Sequence, residues 1–248
     1  MIKTEINEKT ILITGATSGI GEALTRQFAK QGTTIVAVGR NKEKLLALQA
    51  EFPNNIYYYA YDLMDLDNIE EIFLFCKENN LKLDGMIHSA GIVYNTVVKA
   101  NNIKEMEETM RVNCFSFFEL GKYFSMKKYS NDGSAIVAIS SISALNSAKG
   151  LSQYAASKAA LNSVVKTMSK EFLRRRIRVN AILPANVRTP MFMANSSQIE
   201  NYEEKAEDWQ PLGIINPEQV GYMAEFLLSD CARYMTGELV VISGGIGY

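Results

Sequence analysis

The chain has 248 residues, 47% of them hydrophobic and 21% charged, and its formal net charge is -1. That is ordinary for a soluble globular protein and long enough to bury a sizeable core. So even a balance offers no basic field for a nucleic-acid backbone, the mixed charges of "MIKTEINEKT" exclude a signal peptide, and no apolar run is long enough to span a bilayer.

Strand-like and helix-like stretches alternate along the chain. "TILITG" is a short apolar run ending in Gly15, and "GEALTRQFAKQ" after it has helical spacing until Gly32 stops it. "TTIVAVG" is a second strand, followed by a helix, "NKEKLLALQAEF", with Asn41 as its N-cap and Pro53 beyond its end. "NIYYYAYDL" is a third strand, "DLDNIEEIFLFCKENN" a helix and "LDGMIHSAG" a fourth strand. A long helical region covers roughly 104–128, then come the strand "GSAIVAISS", the helix "QYAASKAALNSVVKTMSKEFLRR", the strand "IRVNAILP", the helix "NPEQVGYMAEFLLS" and the last strand "GELVVISGG". The alternation predicts an α/β fold: a Rossmann-like doubly wound parallel sheet of about seven strands in a single domain, with helices on both faces. The segment 187–216 breaks the rhythm and holds the only tryptophan, Trp209. Long insertions of this kind often form binding loops, outside the carboxyl ends of the strands.

Several residues bound the chemistry. Cys76, Cys114 and Cys231 are widely spaced and odd in number, which suggests free thiols in a reducing, cytoplasmic compartment, each read as a small buried hydrophobe. The only histidine, His88, lies in an apolar strand and reads as a satisfied core residue; a metal site needing two histidines is excluded. "RRRIR", Arg174 to Arg178, reads as a solvated helix end, with a phosphate site as the alternative.

The turn "TGATSGIG" places Gly15, Gly19 and Gly21 between a strand and a helix. Glycines there let the backbone turn sharply and approach a pyrophosphate that faces the helix N-terminus, with Thr17, Ser18 and Ile20 alongside. At the end of the second strand, Gly39 and Arg40 stand where an acid would select the ribose hydroxyl of NAD(H). A cation suits a 2'-phosphate, so NADP(H) is the preferred cofactor and NAD(H) the alternative; Arg40 facing solvent is the bland reading.

Hydride transfer to a carbonyl leaves an oxyanion that needs a proton. A tyrosine four positions before a lysine shares a helix face with it. Two such pairs exist, Tyr154 with Lys158 and Tyr123 with Lys127. An ammonium favours the phenolate, and bringing a tyrosine from about 10 to near 7 takes roughly 4 kcal/mol. Ser141, at the carboxyl edge of the preceding strand, is the orienting hydroxyl favoured by spacing, with Ser140 as its rival.

With these residues in place the sequence resembles the short-chain dehydrogenase/reductases along its whole length, most closely those of the 3-oxoacyl-carrier-protein reductase type. The resemblance rests on "TGATSGIG", "HSAG", "RVN", "AISS", "YAASK", "RVNAILP", "TP" and "MTGELVVISGG", in family order. It selects Tyr154 and Lys158 over Tyr123 and Lys127. It implies Tyr154 as general acid/base, Lys158 on the nicotinamide ribose lowering the tyrosine pKa, Ser141 on the carbonyl, and Asn113 completing a tetrad through a water. It implies Asp62 on the adenine with Leu63 beside it, Ser89, Ala90 and Gly91 close to the cofactor, and Pro184, Val187 and Thr189 on the carboxamide and diphosphate side. Two positions depart from the family pattern: "HSAG" replaces "NNAG", and Ala185 replaces the glycine after Pro184. The implied activity is NADP-dependent reduction of a carbonyl, or the reverse, on a small-molecule substrate by a homotetramer or homodimer. Met191, Phe192, Met193, Tyr202 and Trp209 suggest an apolar substrate wall, beside the acidic run "IENYEEKAED". The alternative is a dinucleotide-binding sensor or assembly subunit with little catalysis, against which the intact tetrad argues.

Overall fold

A computed structural model describes residues 5–196 and 208–247. Seven strands form one sheet: β1 (Thr10–Thr14), β2 (Thr34–Gly39), β3 (Ile56–Ala60), β4 (Leu83–His88), β5 (Ser130–Ile139), β6 (Arg178–Pro184) and β7 (Leu239–Ile242). Their order is β3-β2-β1-β4-β5-β6-β7, and every pairing is parallel. The helices are α1 (Gly19–Lys30), α2 (Lys42–Glu51), α3 (Glu70–Glu78), α4 (Ile103–Met110), α5 (Ser116–Phe124), α6 (Ser152–Glu171), α7 (Pro190–Ser196) and α8 (Pro217–Leu228).

Strand side chains alternate between faces, and each face has its own core. Ile11, Ile13 and Ile35 pack with Leu24 and Phe28 of α1 and Val220 and Leu227 of α8. Leu12, Val36 and Met86 pack on the other side with Phe73 of α3, Phe117 of α5 and Leu161 and Val165 of α6. Both faces being covered explains why these strands read as continuous apolar runs. The chain winds outward from β1 through β2 to β3 and resumes on the other side at β4. The reversal opens a crevice at the carboxyl ends of β1 and β4, where this fold class takes its ligands.

Local signals hold where expected. Asn41 caps α2 by accepting from the Lys44 amide at 2.9 Å, Gly32 ends α1 with φ +92, and α8 starts at Asn216 with Pro217 in its first turn and a capping box to Gln219. Three expectations change. The helical region 104–128 is not one helix: α4 and α5 are joined by a π-helical turn, Arg111–Phe115. The basic run is not simply solvated. Arg175 donates to the carbonyls of Ser125 and Ser130 and to Asp132, while Arg178 is buried on β6 and donates to the Leu227 and Ser229 carbonyls. Strand and loop ends left carbonyls without partners there, and the guanidinium forks satisfy them. Cys231 is exposed, because it sits in a short turn after α8; Cys76 and Cys114 are buried, and burial pushes the Cys76 thiol up to about 12.

Candidate active site

The carboxyl ends of the central strands open into a cavity of about 980 Å³. Gly15 and Thr17 to Ile20 line it from the first turn, Arg40 from the end of β2, and Asp62 and Leu63 from beyond β3. Ser89 to Gly91 follow β4, Ser141 follows β5, Tyr154 and Lys158 come from α6, and Pro184, Val187 and Thr189 from the end of β6 and beyond. Of the residues singled out in the sequence, Gly21 and Asn113 stand behind this wall. A Cβ on Gly21 would press into the Gly15 carbonyl, so Gly21 keeps the turn tight. Tyr123, the rival tyrosine, lies away from the cavity and packs on Phe73.

The first turn fits a dinucleotide. Gly15 has φ +70, and a Cβ there would sit 2.8 Å from the Ala90 amide nitrogen, so the turn packs directly on the strand-end backbone of β4. Ser18 is the N-cap of α1 yet makes no side-chain cap. The N–H groups at this helix start therefore keep capacity for an anion. Thr14 anchors the arrangement: its Oγ1 accepts from the Ala90 amide at 3.3 Å and lies 3.0 Å from His88 Nδ1. His88 is fully buried as expected; besides Thr14, its ring meets the main chain at Val112 and Asn113. Burial, with the Lys158 charge adding to it, lowers its pKa to about 3. Thus "HSAG" keeps the backbone contact to the turn through a neutral histidine. Ala185 brings no strain, since its φ is not positive and its N–H donates to the Ile242 carbonyl at 2.9 Å.

At the end of β2, a Cβ on Gly39 would sit 3.1 Å from both Thr17 Cγ2 and Oγ1. An acid at position 39 would have to displace Thr17. Arg40 is exposed at the rim and forms no ion pair among the described residues. Lys44 reaches the same rim, its Nζ 3.4 Å from the Thr17 carbonyl.

At the other end of the cavity, Ser141 and Tyr154 both line the wall; the Ser141 hydroxyl is near enough to the phenol to pull its pKa down and accepts from the Ser143 amide at 3.1 Å. Ser140 instead turns to α6, donating to the Lys158 carbonyl at 3.4 Å. This separates the two serines: Ser141 faces the tyrosine. Lys158 is buried, with Nζ 5.7 Å from the Tyr154 ring centre and donating to the Ile139 carbonyl at 2.8 Å. Burial lowers its pKa to about 8. Contrary to the sequence-based expectation, the Tyr154 pKa is raised. Burial raises it, and the Ser141 hydroxyl offsets only part of that. The Lys158 ammonium is held on a carbonyl rather than on the phenol.

Asn113 is fully buried in the π-helical turn. Its Oδ1 accepts from the Ile92 amide at 2.8 Å, and its Nδ2 donates to the Ile92 carbonyl and the Ser157 hydroxyl, each at 2.9 Å. It pins the loop after Gly91; Gly91 in turn leaves space in which a Cβ would lie 3.5 Å from Lys158 Nζ. Ile92, Ser157 and Ile139 went unnoticed in the sequence because two act through backbone groups, which carry no residue-type signal.

Of the residues expected to form an apolar wall, Met191, Phe192 and Trp209 line the cavity and Met193 does not. Tyr202 and residues 199–207 of the acidic run lie outside the described residues. Asn146, Lys149, Asn186 and Ile246 also line the cavity.

Known proteins share this chain's sequence and fold. A family profile described as Enoyl-(Acyl carrier protein) reductase matches residues 15–247. The chain is 33% identical over 242 residues to a 3-oxoacyl-[acyl-carrier-protein] reductase of Thermotoga maritima, covering 96% of this chain and 97% of that protein. It is 34% identical to the same-named protein of Rickettsia prowazekii, covering 98% of each. Among solved structures, a short-chain type dehydrogenase/reductase from Mycobacterium ulcerans superposes with a TM-score of 0.86 at 26% identity, covering 96% of this chain and 89% of that one. With a glycine turn, a hydroxyl pair and a lysine assembled at one strand-end cavity, the chain belongs to the short-chain dehydrogenase/reductase family, as an oxidoreductase acting on CH–OH and C=O groups.

Proposed function

We propose that the protein is an NADP(H)-dependent carbonyl reductase of the 3-oxoacyl thioester type. The observation that carries the reading is that Ser141, Tyr154 and the buried Lys158 line the same cavity as the glycine turn. The nicotinamide cofactor, when bound, supplies the hydride. Ser141 would hold the carbonyl oxygen by a hydrogen bond. Tyr154 would donate the proton that this oxygen takes up; its raised pKa keeps the phenol protonated near neutrality, the form that reduction requires. Lys158, cationic below about 8, would hold the ribose hydroxyls and favour the tyrosinate that remains. Asn113 positions the loop backbone at Ile92 rather than touching the reacting atoms. Arg40, Lys44 and the Thr17 hydroxyl would hold the 2'-phosphate. The proteins named as 3-oxoacyl-carrier-protein reductases are the ground for the thioester class.

No helix among the described residues is long and apolar enough to cross a membrane. Self-assembly to a dimer or tetramer is part of the proposal. Phe117 is core, whereas Phe115 and Phe118 are 47% and 52% exposed, and β7 is a half-buried sheet edge; both surfaces suit a second copy.

The test is a melting titration with NADPH and with NADH. A ligand at 100 times its Kd stabilises by about 2.7 kcal/mol, or roughly 5–10 °C for a chain of this size. NADPH should give the larger shift, and Arg40→Asp should erase its advantage. Oxidation of NADPH by acetoacetyl-coenzyme A then checks the thioester class. A shift with no turnover on any carbonyl would favour the sensor reading.

A further inference from the structure

Gln210 is fully buried and does not line the cavity. Its side-chain amide is spent on main chain. Oε1 accepts from the Asn186 amide at 3.1 Å, and Nε2 donates to the Asn186 carbonyl at 3.2 Å and the Gly213 carbonyl at 2.8 Å. Both main-chain polar groups of Asn186 are thus held by one planar amide, which fixes orientation as well as position. Asn186 lies between Pro184 and Val187, in the segment that lines the cavity beyond β6. Gln210 directly follows Trp209, which lines the cavity.

The C-terminal tail closes on the same side chain. Gly244 has φ +61, and a Cβ there would lie 2.7 Å from Gln210 Cγ. Its carbonyl accepts from the Leu212 amide at 2.9 Å. Beyond it, Ile246 lines the cavity, and the Gly247 carbonyl accepts from Asn146 Nδ2 at 3.2 Å, in the loop between Ser141 and Tyr154. The two loops are also paired directly, through Arg188 to Ile215 at 2.9 Å and Ile215 to Asn186 at 3.0 Å.

We infer that Gln210 is a positioning residue that couples the loop carrying Val187 and Thr189 to the substrate wall formed by Trp209 and Ile246. The inference rests on the reading that the cavity takes NADP(H). A displacement of Asn186 when a dinucleotide engages its neighbours cannot be absorbed within the loop, because Gln210 grips both ends of that peptide pair and turns with it. Trp209 and the tail at Gly244 follow. The substrate wall then has its working shape only with the cofactor in place, and the coupling is reciprocal: substrate bound at the wall tightens the cofactor by the same factor.

Trp209 is the only tryptophan in the chain, so its fluorescence reads this wall alone. The probe is NADP⁺, which does not absorb at the tryptophan emission and so quenches nothing by energy transfer. Acrylamide quenching is measured with and without NADP⁺ for the full chain, for Gln210→Met, which keeps the volume and removes the hydrogen bonds, and for Gly244→Ala, which disturbs the same joint from the tail. NADP⁺ should change the Trp209 quenching constant in the parent protein, and both variants should lose that change while NADP⁺ still raises their melting temperature. With acetoacetyl-coenzyme A, Gln210→Met should raise KM by about fivefold or more, the low end of measured couplings, with kcat altered less. NADP⁺ binding to the parent without a Trp209 response, or variants responding like the parent, overturns the inference. Should Gln210→Met fail to fold, the parent response and Gly244→Ala decide. No melting shift with NADP⁺ in the parent refutes the cofactor reading itself, and this inference with it.

Discussion

In the proposed reaction the substrate oxygen would take its proton from Tyr154, a phenol that burial keeps protonated. Burial raises its pKa by more than the Ser141 hydroxyl lowers it. Tyr154→Phe removes the proton and little volume. It should lower kcat by about 10²–10⁴, the usual worth of a general acid, and leave the NADPH-induced melting shift in place; a variant that turns over like the parent would reassign the acid. The pairing of Tyr154 with Lys158 on α6 was legible in the sequence because YxxxK puts two side chains on one helix face. Which partner each would choose was not. Lys158 takes the Ile139 carbonyl and Asn113 takes Ile92, and backbone groups are the same at every position of a sequence.

The decisive elements are the turn after β1 and the end of β4. They meet with no room between them: Gly15 stands at φ +70 with its missing Cβ 2.8 Å from Ala90. Gly15→Ala therefore meets both a left-handed backbone and a main-chain collision, a cost of about 1–3 kcal/mol. It should lower the melting temperature by several degrees and weaken NADPH at least tenfold by titration; unchanged affinity would show that the turn does not cradle the phosphates. Strand and helix positions followed from periodicity, and Asn41, Gly32 and Asn216 punctuated them as local chemistry predicts. The π-helical turn at Arg111–Phe115 did not announce itself. Five residues are too few to show a period of their own, and it is within this turn that Asn113 meets Ile92.

At the scale of the whole molecule, His88 makes stability depend on acid. Its folded pKa of about 3 lies below its ordinary 6.5. Because the unfolded chain takes up the proton first, the stabilisation is complete above 6.5 and is lost progressively as pH falls from 6.5 toward 3. By pH 5 the loss is about 2 kcal/mol, or roughly 4–8 °C of melting temperature. His88→Asn should flatten the decline between pH 6.5 and 5, measured by thermal unfolding against pH; an equally steep decline would place the acid sensitivity elsewhere.

The sequence by itself determined the layer architecture, the family and the placing of Tyr154 and Lys158 one helical turn apart on α6. Periodicity, glycine spacing and YxxxK are local patterns, and their physical causes are local too: strand and helix repeat, the missing Cβ, and one helical turn. Tertiary structure decided what depends on which distant groups meet. It made Ser141 rather than Ser140 face Tyr154, buried Arg178 and left Cys231 exposed. It also turned Gln210, unremarked in the chain, into the joint between Asn186, Gly213 and Gly244. Burial and hydrogen-bond partners are properties of the folded sheet and its loops, set by the β1–β4 reversal that brings residues far apart in sequence to one crevice.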